Sequence, residues 1–175
     1  MLKIILATLS SSCLLFLAAC GSAPTAPENK PSSPSAPGAT SQPEINYGAG
    51  FYQMESAPDG VTWRWMAQTG SITLKNHPTD MRLKLIGDVP TESMQPPVQI
   101  TIKFNGEVLD QFTATKEKAH LEKEFTIPAA KQSNGEFSTL TIQSDKFFVP
   151  KLVSKESGDE RQLSFSLNKL EWAAQ

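Results

Sequence analysis

Cysteine is nearly missing from this chain. Of 175 residues only Cys13 and Cys20 are cysteines, and both lie near the start. A four-cysteine zinc site is excluded, and a segment that begins after Cys20 can hold no disulfide. Histidine is equally scarce, with His77 and His120 alone. Charge of one sign is also lacking: 16 Lys+Arg against 18 Asp+Glu leave a formal net charge of −2. A chain without a basic block has no footprint for a phosphate backbone, so nucleic acid is not an expected partner. No G-x-S-x-G elbow, H-E-x-x-H pair or P-loop occurs, which removes the common hydrolase, zinc-protease and nucleotide templates. No cofactor is expected.

Long hydrophobic runs are missing too. Ile4 to Leu17 is mostly apolar and uncharged, but Ser10-Ser11-Ser12 interrupts it. That run is shorter than the roughly 20 residues a spanning helix needs. With Lys3 before it and small residues after it, residues 1–19 read as a secretory signal peptide. Leu17-Ala18-Ala19-Cys20 resembles the lipobox of bacterial lipoproteins. That resemblance implies a diacylglyceryl thioether on Cys20, cleavage just before it, and acylation of the new amino group. Two or more acyl chains anchor a protein stably without spanning the bilayer. The mature protein is thus expected in the bacterial cell envelope, with membrane lipid as a partner through acylated Cys20. In that family an aspartate after the cysteine favours inner-membrane retention. Gly21 stands there, which favours the outer membrane if the cell is Gram-negative.

Residues 20–45 read as a tether. Pro24, Pro27, Pro31, Pro34, Pro37 and Pro43 are spaced by Ser, Ala and Thr, and Ile45 is the one large aliphatic side chain. Such a stretch cannot bury enough apolar surface to offset its ordering entropy.

Residues 46–175 read as one all-β domain, a two-sheet antiparallel β-sandwich of jelly-roll-like form. Val98, Ile100, Ile102 and Phe104 alternate with Gln99, Thr101 and Lys103, the period of two of a half-buried strand. Asn105-Gly106 follows, a pair suited to a type I′ turn and hence a hairpin with Glu107 to Thr113. Val61 to Met66 and Ser71 to Lys75 are expected to pair around Gly70. Further strands are expected at Met81 to Gly87, Leu121 to Ile127, Phe137 to Ser144 and from Leu163 onward. Leu163, Phe165 and Leu167 share one parity while Leu170 and Trp172 take the other, which predicts a bulge near Asn168. Ala129 to Lys131 suits one helical turn.

Few groups in this domain suggest chemistry. Both histidines are expected at the surface, and a His77/Asp80 metal pair is a weak alternative. Glu122 and Glu124 share a strand face that reads as solvated rather than as a glycosidase pair. Asp159 and Glu160 could join a calcium site, though their spacing does not demand it. The aromatic residues say more. Trp63 and Trp65 share a strand face, either as a core layer or, if exposed, as a platform for sugar rings. Arg64, on the opposite face, would want a carboxylate, and Glu55 or Asp159 could supply it.

An ordered set of motifs then stands out. Gly50-Phe51-Tyr52-Gln53-Met54-Glu55, Trp63-Arg64-Trp65-Met66, Asn105-Gly106, Val149-Pro150 and Asp159-Glu160-Arg161-Gln162-Leu163-Ser164 follow one another. They resemble a jelly-roll-like, carbohydrate-binding-like module found in bacterial envelope proteins and appended to some membrane glycosyltransferases. Ser164 departs from the glycine which that pattern prefers. The resemblance makes Glu55, Arg64, Asp159 and Arg161 the signature polar residues, and with the aromatic Tyr52, Trp63 and Trp65 they are the candidate ligand-binding residues. The same polar residues could instead form structural ion pairs that join the two ends of the domain. Two functions remain open: a non-catalytic envelope lipoprotein that contacts or helps assemble glycan, and a structural or protein-binding lipoprotein without a sugar ligand. A hydrolase would need a convergent acid/base pair in a cleft.

Overall fold

The computed structural model describes residues 45–175. The signal peptide, the lipidation of Cys20 and the tether up to residue 44 lie outside the described residues. Ten strands and one short helix follow in chain order. They are β1 (Ile45–Tyr47), β2 (Phe51–Ser56), β3 (Thr62–Met66), β4 (Thr69–Lys75), β5 (Met81–Asp88), β6 (Val98–Phe104), β7 (Glu107–Ala114), β8 (His120–Ile127), β9 (Phe137–Ser144), α1 (Pro150–Val153) and β10 (Phe165–Ala174). A 3-10 turn covers Ala129–Lys131, where sequence placed one helical turn.

The strands form two five-stranded antiparallel sheets. Sheet A runs β1-β4-β9-β6-β7 and sheet B runs β2-β3-β10-β5-β8. Consecutive strands pair as hairpins only at β2–β3 and β6–β7. Every other link between successive strands crosses from one sheet to the other. The expected all-β sandwich is therefore present.

Alternation builds the core. β5 buries Met81, Leu83, Leu85 and Gly87, and β6 buries Val98, Ile100, Ile102 and Phe104. From sheet A, Ile72, Leu74, Leu140 and Ile142 join them, and from sheet B, Met66, Leu121, Phe165 and Trp172. The buried indole of Trp172 donates Nε1–H to the Lys75 carbonyl at 2.8 Å, which satisfies its polar end.

Local signals in the sequence appear where expected. Asn105 and Gly106 both have positive φ, 48° and 85°, as a type I′ turn requires. β10 shifts register against β5 between Leu167 and Lys169. That bulge at Asn168 lets Leu167, Leu170 and Trp172 all face inward.

Three expectations are corrected. β3 and β4 do not pair, because they belong to opposite sheets. Gly70 is no turn but lies inside β4, where a Cβ would come within 2.6 Å of Phe51 and 2.7 Å of Met66. The chain changes sheets at Ala67-Gln68, and a glycine lets the two strands approach there. Ile45, assigned to the tether from sequence, opens β1 instead, where it pairs with Leu74 and packs on the core. Pro150–Val153 forms the single helical turn α1, with Pro150 in its first turn.

Candidate functional site

The segment between β9 and β10 closes over the outer face of sheet B. Phe148 and Leu163 exchange two backbone hydrogen bonds of 2.8 Å. Phe148 also meets the edge of Trp65, with ring centroids 6.2 Å apart. Because Met66 points inward, Trp63 and Trp65 lie on the outer face. They are half-buried. They are neither an inter-sheet core layer nor an open platform for sugar rings. The Trp63 Nε1 atom is buried with no hydrogen-bond partner.

Four of the candidate residues meet beside these tryptophans. Arg161 directs Nε and Nη2 at Asp159, at 2.7–3.1 Å, and Nη1 at Glu55 Oε1, at 2.7 Å. Its guanidinium lies 5.1 Å from the centre of the Tyr52 ring. The Tyr52 hydroxyl donates to the Gln162 carbonyl at 3.1 Å. Asp159 also accepts the Arg161 backbone N–H at 2.9 Å. Hydrogen bonds from Arg161 hold the Asp159 carboxyl below its usual value, and those bonds, with Asp159 first, push Arg161 up. The fork geometry of Arg matches this bidentate work. The cluster binds itself, and it ties the edge strand β2 to the approach of β10.

Arg64 takes a different part from the one its sequence suggested. Among the described residues it pairs with neither Glu55 nor Asp159. Both carboxylates are held by Arg161. Arg64 shares the inward parity of Met66, which carries it to the open edge between β1 and β2. There its guanidinium sits 4.4 Å from the centre of the Tyr47 ring, and Nη1 donates to the Tyr52 carbonyl at 3.3 Å. Burial raises the Tyr47 pKa, and the neighbouring Arg64 charge opposes that rise.

Ser164 stands where the resembled pattern prefers glycine. It is fully buried, and its hydroxyl donates to the Ala67 carbonyl at 2.6 Å. Both histidines lie at the surface. His77 Nδ1 meets Thr79 at 2.9 Å, and His120 Nδ1 meets Asp88 at 2.8 Å. Asp80 accepts the Ala129 N–H and so serves a turn rather than a metal. Among the described residues no three His, Cys, Asp or Glu side chains converge as metal ligands.

A second surface was not singled out from the sequence. The outward residues of sheet A align across strands. One row reads Thr69, Gln143, Thr101, Gln111; the next reads Ser71, Thr141, Lys103 and the exposed Val108; a third reads Asn46, Thr73, Thr139. Lys103 is the single charge in these rows. A depression of about 360 Å³ opens on this face beside Gln68, Thr69, Gln99, Thr101, Gln143 and Asp145. The side chains of Thr69, Thr101, Thr141 and Gln143 make no hydrogen bond among the described residues. The outer face of sheet B is the opposite in kind. Lys84–Glu122 at 2.6 Å, Arg82–Glu171 at 3.6 Å and Lys169–Glu171 at 2.5 Å cross it. A signal for the difference exists in the sequence. The polar parity is Gln-Thr-Lys in β6 and Thr-Thr-Gln in β9, but Arg-Lys in β5 and Glu-Glu in β8.

A larger groove, about 610 Å³, lies beside the Asn105-Gly106 turn and is lined by Phe104, Val108, Leu109 and Ile127 among others. Its two charged walls, Lys131 and Glu107, neutralise each other at 2.6 Å.

No protein-family model matches this chain, and no curated protein matches it. Solved β-sandwich domains do. A family 35 carbohydrate-binding module from Clostridium thermocellum aligns at TM-score 0.42 and 11% identity, over 77% of this chain and 100% of its own. The CBM36-1 domain of a multidomain xylanase, from the hindgut metagenome of Trinervitermes trinervoides, aligns at 0.39 and 11%, over 76% and 98%. A family GH115 4-O-methyl-alpha-glucuronidase with specificity for decorated arabinogalactans aligns at 0.44 and 7%, over 85% of this chain and 20% of its own. At TM-scores below 0.5 these likenesses transfer no residue role to this chain.

Proposed function

We propose that this chain is a lipid-anchored envelope protein whose β-sandwich contacts glycan without catalysis, through the outer face of sheet A. The observation that supports this reading is the state of that face. Thr69, Thr101, Thr141 and Gln143 offer donors and acceptors that the protein leaves unused. Sugars are recognised by the same exchange: hydroxyls that donate and accept against hydroxyl and amide partners. The near absence of charge favours neutral polyhydroxy ligands. The Arg161 cluster does not compete for this role, since its donors already meet Glu55 and Asp159. The anchor follows from the lipobox resemblance at Cys20.

The test is a glycan array probed with residues 45–175, with Thr101→Val/Gln143→Ala and Trp63→Ala as comparisons. Binding is expected to fall at least about tenfold in the first variant, as the loss of one to two hydrogen bonds implies. Trp63→Ala should lower stability and leave the sugar affinity of the folded fraction unchanged. Loss of binding only in the Trp63 variant would move the site to sheet B, and no glycan binding at all would leave the structural or protein-binding role.

A further inference from the structure

We propose that residues 146–155 form a knob that dips into the surface of a lipid bilayer. Among the described residues, three of the seven exposed large hydrophobic side chains lie there: Phe147 at 41%, Leu152 at 81% and Val153 at 56% exposure. Residues 146–155 also carry Lys146, Lys151 and Lys155 and no carboxylate. Lys155 has no ion pair among the described residues. Lys151 pairs with Glu160, and Lys146 donates to the Gln95 carbonyl at 2.6 Å.

This is an ordered presentation. Phe148 is bridged to Leu163 and packed on Trp65. Lys151 donates its backbone N–H to Asp159 at 2.9 Å, and Ser154 donates to Pro150 at 2.9 Å. The backbone of α1 is thus satisfied and held while Leu152 and Val153 point at solvent. Exposed apolar side chains beside Lys146, Lys151 and Lys155, between the flanking Asp145 and Glu156, suit the zone where acyl chains meet headgroups, with lysine stems able to reach outward.

Insertion of two or three side chains is weak alone. It becomes effective if the domain is already tethered, and in that respect the inference rests on the lipid anchor proposed above. The 24 residues 21–44, even fully extended, reach no further than roughly 85 Å. The knob is therefore kept at high local concentration near the membrane.

The experiment uses the full anchored chain, reconstituted into phosphatidylethanolamine vesicles that contain phosphatidylglycerol. A fluorophore on Ser154→Cys is compared with one on Thr139→Cys, on the outer face of sheet A. Brominated acyl chains should quench the label at 154 several-fold more than the label at 139. Adding Leu152→Asp/Val153→Asp to the 154-labelled chain should abolish the difference. Flotation with the vesicles reports the anchor separately. If the chain does not float, the anchor fails; equal quenching at both positions in a chain that does float fails the knob alone. Equal quenching at both positions overturns the proposal. So does quenching that the double aspartate variant leaves unchanged.

Discussion

Two arginines, one between the paired tryptophans and the other about a hundred residues further on, show how local geometry assigns partners. Arg64 was the better-placed candidate in sequence, yet strand parity turns it inward to the sandwich edge. Arg161 sits in the segment leading into β10 and has Asp159 two residues behind it, so its fork closes on Asp159 and reaches across to Glu55. Its side chain is 35% exposed, and water weakens the ion pairs accordingly. Arg161→Ala is expected to destabilise the domain by about 1 kcal/mol in urea unfolding. Arg161→Lys should recover little of that, since a point charge cannot reproduce the fork. An unchanged unfolding midpoint in Arg161→Ala would refute the clamp. The same cluster sets an acid response. Asp159 is depressed chiefly by hydrogen bonds from Arg161, Glu122 by Lys84 and Glu171 by Lys169. A depressed folded carboxylate binds its proton less readily than the unfolded one. Its contribution is complete above the ordinary value near about 4 and is lost as pH falls through the folded value. Stability should therefore hold from neutral pH down to about 4 and then decline. In Asp159→Asn the decline should be shallower when unfolding is followed against pH.

At the scale of elements, the sandwich depends on where small and charged residues sit along its strands. Gly87, on the inward face of β5, leaves room for Phe165. A Cβ there would come 2.2 Å from that ring and 2.4 Å from the Ser166 carbonyl oxygen. Gly87→Ala should cost about 2–3 kcal/mol, the upper range of overpacking, and differential scanning calorimetry would show it as a lowered midpoint. The long edge strands β7 and β8 pose a different problem, since an edge invites pairing with another chain. Lys123 of β8 shares the inward parity of Leu121, and its Nζ meets Asp110 of β7 at 2.8 Å. An inward charge at the open mouth of the sandwich guards both edges. Lys123→Val should raise concentration-dependent self-association in analytical ultracentrifugation. A monomer at all concentrations would remove that role. Arg64, between β1 and β2, holds the equivalent place at the other mouth.

For the whole molecule, the two outer faces divide the work. Sheet B is laced by ion pairs on β5, β8 and β10 and covered by the β9–β10 segment over β3. Sheet A presents mainly hydroxyl and amide groups, with Lys103 and Val108 toward β7 and Lys75 beside Phe137. The fold between them relies on noncovalent contacts alone, as residues 45–175 contain no cysteine. A single thermal transition, identical with and without reductant, is expected. A midpoint that falls on reduction would show a disulfide formed by Cys13 or Cys20, outside residues 45–175.

The strands, the hairpin at Asn105-Gly106 and the bulge at Asn168 could be read from the sequence, because each depends on neighbours two to four positions apart. Alternation reports which side chains share a face, and positive φ reports which residues can turn. The joining of Glu55, Asp159 and Arg161 was legible only as an ordered set of motifs, without the contact itself. Partnership was out of reach. β3 and β4 are close in sequence and lie in different sheets, while β4 pairs with β9 across some seventy residues. That choice belongs to the core, which must bury the inward residues of all ten strands at once. Only the tertiary structure could bring the polar parities of β4, β6 and β9 onto one sheet, or bend residues 146–155 into a knob held from beneath by Phe148, because both depend on contacts between segments far apart in the chain.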